Sequence, residues 1–193
     1  MTGISANAAL LVIDIEKGFD DTHLPPRNNP RCEDNVTALV RAWRAAGRPL
    51  VLVRHESKEP DSPLVPGPGT EFKQVLVDAM DGAEPDILVT KSVHSSFYGS
   101  PNLDVWLRAR GVSQLVICGI QTNYCCETTA RMAGNLGYDV LFALDATHTF
   151  DEAGPDGTVI TAEEFGRVTA AVIDGSFGRV ARTADVLQMS GNV

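Results

Sequence analysis

Three side chains in this sequence could together cleave a carbonyl compound: the thiol of Cys125, the carboxylate of Asp14 and the ammonium of Lys91. Cys125 follows an apolar, strand-like run, Leu115-Val116-Ile117-Cys118, which passes through Gly119-Ile120-Gln121 into a helical pattern. A thiol at such a junction meets the positive end of a helix dipole and several unpaired backbone N–H groups. Those groups favour a thiolate, and they also stabilise the oxyanion formed when a thiolate attacks a carbonyl. Asp14 would accept the thiol proton and later return it to a leaving amine. Lys91 would favour the thiolate and keep Asp14 oriented, while N–H groups around Gln121 and Cys125 would hold the oxyanion. Each residue also has an ordinary explanation. Free cysteine is among the most buried residue types, and an Asp or Lys after a strand is commonly a loop cap or a solvated charge.

What sets the three apart is that each stands at the end of a strand-like run. Ala8 to Ile13 ends at Asp14, Leu50 to Val53 at Arg54-His55, and Asp86 to Thr90 at Lys91. Leu115 to Cys118 ends at Gly119, and Tyr138 to Leu144 ends at Asp145. Runs apolar on both faces suit a parallel sheet covered by helices on each side. A weaker strand is expected near 178–181, followed by helical sequence from Thr183. Helical spacing marks 35–46, 101–111, 123–136 and 162–173, with Ser100 as N-cap and Pro101 as first residue of the second. The alternation predicts one doubly wound α/β domain over residues 1–193 with about five or six parallel strands. In such a sheet ligands bind beyond the carboxyl ends of the strands, where strand order reverses. If the first and fourth strands are neighbours there, Asp14, Lys91 and Cys125 can share one pocket.

Other groups are weaker candidates. His55, or Asp145 with His148, could contribute to a zinc site, but the tight ligand spacing of such sites is missing. Trp43 and Trp106 fall on helix faces and read as core. Residues 56–70 and 150–158 read as loops near the strand ends, the second marked by Gly154-Pro155-Asp156-Gly157.

Of the 193 residues, 44% are hydrophobic and 21% charged, an ordinary globular composition, and the net charge of −9 argues against a nucleic-acid or anionic-membrane surface. Four cysteines at positions 32, 118, 125 and 126 form neither a disulfide framework nor a CxxC site. With no secretory or membrane-spanning pattern, the expectation is a reduced, cytoplasmic protein with a small-molecule substrate.

The segments Val12-Ile13-Asp14-Ile15-Glu16, Thr90-Lys91-Ser92 and Gly119 to Ala130 resemble the three signatures of the isochorismatase-like cysteine hydrolases. The resemblance implies a Rossmann-like three-layer α/β/α sandwich with a central, mostly parallel sheet of about six strands. It implies a catalytic triad of Asp14, Lys91 and Cys125. It further implies a cis peptide between Ile120 and Gln121 that helps aim the Gln121 N–H beside that of Cys125. Cys126 stands where the family often has valine, so it is read as core. Family members commonly form oligomers, and a homo-oligomer is expected.

Two departures stand out. Glu16 replaces a common glutamine, adding a potential negative charge near the pocket. The segment Val53-Arg54-His55-Glu56-Ser57 lacks the metal-binding pattern of nicotinamidases. No metal and no cofactor are therefore expected. The expected activity is hydrolysis of an amide or related C–N bond through a thioester, on carbamoyl compounds, primary amides or a lactam like that opened by streptothricin hydrolases. The alternatives are hydrolysis of an isochorismate-type vinyl ether without a covalent step, and a non-catalytic ligand-binding protein. Glu16, Phe19, His55, Phe97, Ile120 and Tyr124 are the expected substrate-binding wall.

Overall fold

A computed structural model describes residues 3–191. In chain order its strands and α-helices are β1 (Ala9–Ile13), α1 (Cys32–Ala45), β2 (Leu50–His55), α2 (Gln74–Met80), β3 (Ile87–Lys91) and α3 (Leu103–Ala109). They continue with β4 (Gln114–Ile120), α4 (Glu127–Asn135), β5 (Asp139–His148), β6 (Glu152–Ala153), β7 (Val159–Ile160), α5 (Ala162–Ile173), β8 (Arg179–Ala181) and α6 (Thr183–Met189). Six strands form an all-parallel sheet in the order β3-β2-β1-β4-β5-β8. Strand order reverses between β1 and β4, the crevice expected to hold the chemistry.

The pleat explains why the strand runs are continuously apolar. Leu10 and Val12 of β1 join Val116 and Cys118 of β4 on one face, packed against Leu39, Val40 and Trp43 of α1. Ala9, Leu11 and Ile13 point the other way with Leu115 and Ile117, against Leu103 and Leu107 of α3 and Ala130 and Ala133 of α4. Alternation sends successive side chains into opposite cores, so neither face of β1 or β4 meets water. Each fully buried leucine contributes about 1.5–3 kcal/mol of transfer free energy. Trp43 is buried and its indole N–H donates to the Ala8 carbonyl at 2.9 Å. Trp106, expected in the core, is half-buried, with the Arg110 guanidinium 4.1 Å from its ring centroid.

Several boundaries differ from the sequence reading. α3 begins at Leu103, not at Pro101, because Asn102 is the cap: its side chain accepts the Val105 N–H at 3.0 Å. The Ser100–Pro101 bond ahead of it is cis. β5 continues past Asp145 to His148, since the Asp145 carboxylate is satisfied by the Thr183 N–H at 2.7 Å and hydroxyl at 2.8 Å. The expected helix from Asn123 opens instead as a π-type turn over 122–126 before α4. The loop at 150–158 contains the first strand of the β6–β7 hairpin, and α2 was not expected.

Candidate active site

Asp14, His55 and Lys91 are carried to one place by neighbouring strand ends. His55 and Lys91 are in register on β2 and β3, and Asp14 directly follows β1. Asp14 adopts a left-handed backbone, φ 51°, a region unusual for a side-chain-bearing residue but tolerated best by Asp and Asn. Gly119, opposite Ile13 on β4, has φ 129°, and a Cβ there would stand 2.0 Å from the Ile13 carbonyl oxygen. Only glycine lets the two strands approach so closely just below the site. The Ile120–Gln121 bond that follows is cis, as expected. The π-type turn then brings Cys125 over the strand ends, with the Cys126 N–H donating to the Gln121 carbonyl at 3.1 Å. Single π turns of this kind are frequent at functional sites.

Lys91 ties the groups together. Its ammonium donates to Asp14 Oδ2 at 2.6 Å and to Cys125 Sγ at 3.2 Å, and lies 2.9 Å from His55 Nδ1. The Lys91 and Asp14 side chains are fully buried. Burial disfavours the Lys91 charge, but the Asp14 carboxylate and the Cys125 sulfur more than offset it and hold the ammonium above its ordinary range. Burial and the positive charge of Lys91 together push His55 down to about 4, leaving a neutral ring whose Nδ1 accepts from Lys91. Burial, reinforced by the Asp14 charge, pushes the Cys125 thiol well above its ordinary value. Burial therefore favours the thiol over the thiolate at this sulfur. Asp14 Oδ1 is buried and has no hydrogen-bond partner, a carboxylate oxygen held available beside that thiol.

Donor atoms of Asp14, His55 and Cys125 lie within 4.8 Å of one another, a grouping with the composition of a metal site. The Lys91 ammonium contacts all three, so a cation of the chain's own already occupies that electrostatic role. Asp145 and His148 do not join it. Asp145 is spent on Thr183, and His148 is buried 3.8 Å from Glu33.

Above the thiol is a cavity of about 320 Å³, lined by Phe19, Leu24, His55, Ser62, Pro63, Leu64, His94, Gln121, Tyr124, Cys125 and Glu152. Phe19, His55 and Tyr124, named from the sequence as pocket wall, line this cavity. Phe97 does not: it packs in the core with its ring stacked on Tyr138 at 5.9 Å. Ile120 is buried within the core. Glu16, also expected on the wall, does not line the cavity: it is fully buried, its Oε1 accepting the His55 N–H at 2.8 Å. Burial and the adjacent Asp14 charge push its carboxyl up to about 9, so it is uncharged at neutral pH. In that neutral form a glutamate has nearly the shape and polarity of the glutamine it replaces.

Two ionisable lining residues, His94 and Glu152, were not singled out from the sequence. His94, three residues beyond Lys91, sits at the rim with Nδ1 3.6 Å from Cys125 Sγ, its ring between those of His55 and Tyr124. Glu152, on β6, accepts the Tyr124 hydroxyl at 2.7 Å. That bond, with partial burial, pushes the Tyr124 phenol up to about 12. Cys126 is fully buried in the core beneath α4, and all four cysteines are free.

A family model for the isochorismatase domain matches residues 8–173. The uncharacterized isochorismatase family protein YrdC of Bacillus subtilis (strain 168) is 32% identical over 180 residues, covering 93% of this chain and 94% of its own. Nicotinamidase 3 of Arabidopsis thaliana is 32% identical over 163 residues, 79% of each chain. A solved structure from the same family, from Chromobacterium violaceum ATCC 12472, superposes with a TM-score of 0.90 at 37% identity, covering 100% of this chain and 98% of that one.

Proposed function

The chain belongs to the isochorismatase family of hydrolases, and from that premise we propose that it hydrolyses a small amide or related C–N bond through a thioester on Cys125. One observation carries the reading. A single buried ammonium, Lys91, bonds both to a thiol facing the cavity and to a carboxylate whose second oxygen is free. An amidase needs a nucleophile and a base that can also serve the leaving nitrogen as an acid. The relative named nicotinamidase supports an amide over other bonds.

In this mechanism the thiol proton moves to Asp14 as Cys125 Sγ attacks the amide carbon. The carbonyl oxygen takes up the electron pair and is held by the N–H groups of Gln121 and Cys125, worth about 3 kcal/mol for each well-aimed donor. The C–N bond then breaks, Asp14 returns the proton to nitrogen, and ammonia or an amine leaves an acyl thioester. Asp14 next takes a proton from water, whose oxygen attacks the thioester. The acid departs, and the proton held by Asp14 restores the thiol. Lys91 stays charged throughout, stabilising both the developing thiolate and the Asp14 carboxylate.

A screen of amides, carbamoyl compounds and lactams, followed by mass spectrometry of a stalled turnover, tests this. The expected result is an acyl mass on the peptide containing Cys125 and no turnover by Cys125→Ala. Turnover that survives Cys125→Ala with no adduct excludes the covalent route.

A further inference from the structure

The charge of the cavity wall bears on what enters it. Among its lining residues there is one carboxylate, Glu152, and no lysine or arginine. Lys91, beneath the thiol, is engaged by Asp14, His55 and Cys125. A carboxylate substrate would find no lysine or arginine on this wall, only the imidazoles of His55 and His94, and would face Glu152. Tyr124 occupies only one oxygen of Glu152, Oε2, so the charge is oriented but not neutralised. Phe19 and Tyr124 line the same cavity, and aromatic rings beside a carboxylate form a favourable setting for a compact organic cation.

We infer that the substrate is a small amide bearing a positively charged group, an ammonium or amidinium, and that Glu152 on the β6–β7 hairpin recognises that charge. The inference rests on the proposed cysteine chemistry and adds the chemical class of the substrate. By the same reasoning a dicarboxylate such as isochorismate is a poor fit.

Thiol reagents of similar size and different charge test the wall without knowledge of the substrate. In each, Cys125 gives up its proton, its sulfur forms a mixed disulfide with the reagent, and methanesulfinate leaves. The reagents are 2-aminoethyl, 2-hydroxyethyl and 2-sulfonatoethyl methanethiosulfonate, with labelling of Cys125 read by peptide mass spectrometry. The cationic reagent is expected to react about tenfold faster than the anionic one, the scale of one charge contact in a half-buried site. Glu152→Gln and Glu152→Ala should collapse that ratio. Tyr124→Phe, which leaves the charge in place, should keep it, as should Glu163→Gln on the exposed face of α5. Equal labelling by all three reagents, or a preference untouched by both Glu152 variants, overturns the assignment and leaves the nucleophile standing. Failure of Cys125 to react with any of them overturns both.

Discussion

Lys91 and Lys73 are both buried lysines held by carboxylates, one at the end of β3 and the other at the start of α2. Around Lys73 the acceptors are well served. Its ammonium bridges Asp20 at 2.7 Å and Glu33 at 2.8 Å, and Arg27 grips both oxygens of Glu33 at 2.8 and 2.9 Å. Around Lys91 one carboxylate oxygen is left without a partner and a thiol is drawn into the cluster. Burial alone would raise the Glu33 carboxyl, but hydrogen bonds from Arg27 and Lys73 hold it far below the usual range. The lesson is that a buried ion pair does not by itself mark reactivity. A satisfied cluster ties the segment between β1 and α1 to α2. An unsatisfied one keeps a proton acceptor in waiting.

The largest expected effect separates the two regions by activity. Cys125→Ala should lower turnover by about 10⁴-fold or more, while Cys126→Ala, one residue on and buried in the core, should leave it nearly intact. Asp14→Asn should cost about 10²–10⁴-fold, because the thiol proton loses its acceptor. Steady-state kinetics on a reactive amide measures all three. If Cys126→Ala were the inactive variant, the comparison would break at its first step.

Stability separates them the other way. Glu33→Gln should cost about 2–3 kcal/mol in urea unfolding, toward the low end for breaking a buried pair because Glu33 keeps some solvent exposure. The folded fraction should retain turnover, since no group of that cluster contacts the sulfur. Its pH dependence also has a sign. A carboxyl held below its ordinary value contributes stability above that value, and the contribution fades as pH falls through the lowered one.

Glu16 gives the effect most specific to a single group. Its carboxyl is raised from 4.5 to about 9, so its contribution is complete below pH 4.5 and is lost as pH climbs to about 9. Stability should therefore decline across that window with a slope of at most about 1.4 kcal/mol per pH unit from this group. Glu16→Gln should remove that slope and leave turnover at neutral pH unchanged within a few-fold. An unaltered pH–stability profile in Glu16→Gln would mean that the carboxyl is ionised after all.

Much of this was legible in the residues, for reasons specific to each. The strands of the sheet could be read because burial on both faces demands unbroken apolar runs, as in Ala9-Leu10-Leu11-Val12-Ile13. α2 was hidden because Gln74 to Met80 is short, opens without a capping side chain and exposes two β-branched valines, Val75 and Val77. Asp14, Lys91 and Cys125 could be found since each ends or follows a strand. His94 lies in the irregular segment after β3, where no periodicity marks it, and Glu152 reaches the cavity only through the path of the chain beyond β5. Phe97 misled because an aromatic in a loop can serve as anchor or wall equally well, and here it anchors against Tyr138. The raised value of the Glu16 carboxyl comes first from its full burial, which one sequence does not reveal.

The β6–β7 hairpin has a consequence beyond its small size. The groups proposed to react are rooted in the central strands and the π-type turn, where Gly119 and the paired cores leave little room for change. The carboxylate proposed to choose sits on a ribbon of two residue pairs, Glu152 with Ile160 and Ala153 with Val159, whose outer strand is exposed. In that proposal the engine and the filter stand on separate parts of the chain. Exchanging this ribbon for another of equal length is a route to new selectivity that leaves the strand ends beneath it undisturbed, and such a cassette is where a lineage or an engineer can retune the enzyme at least cost.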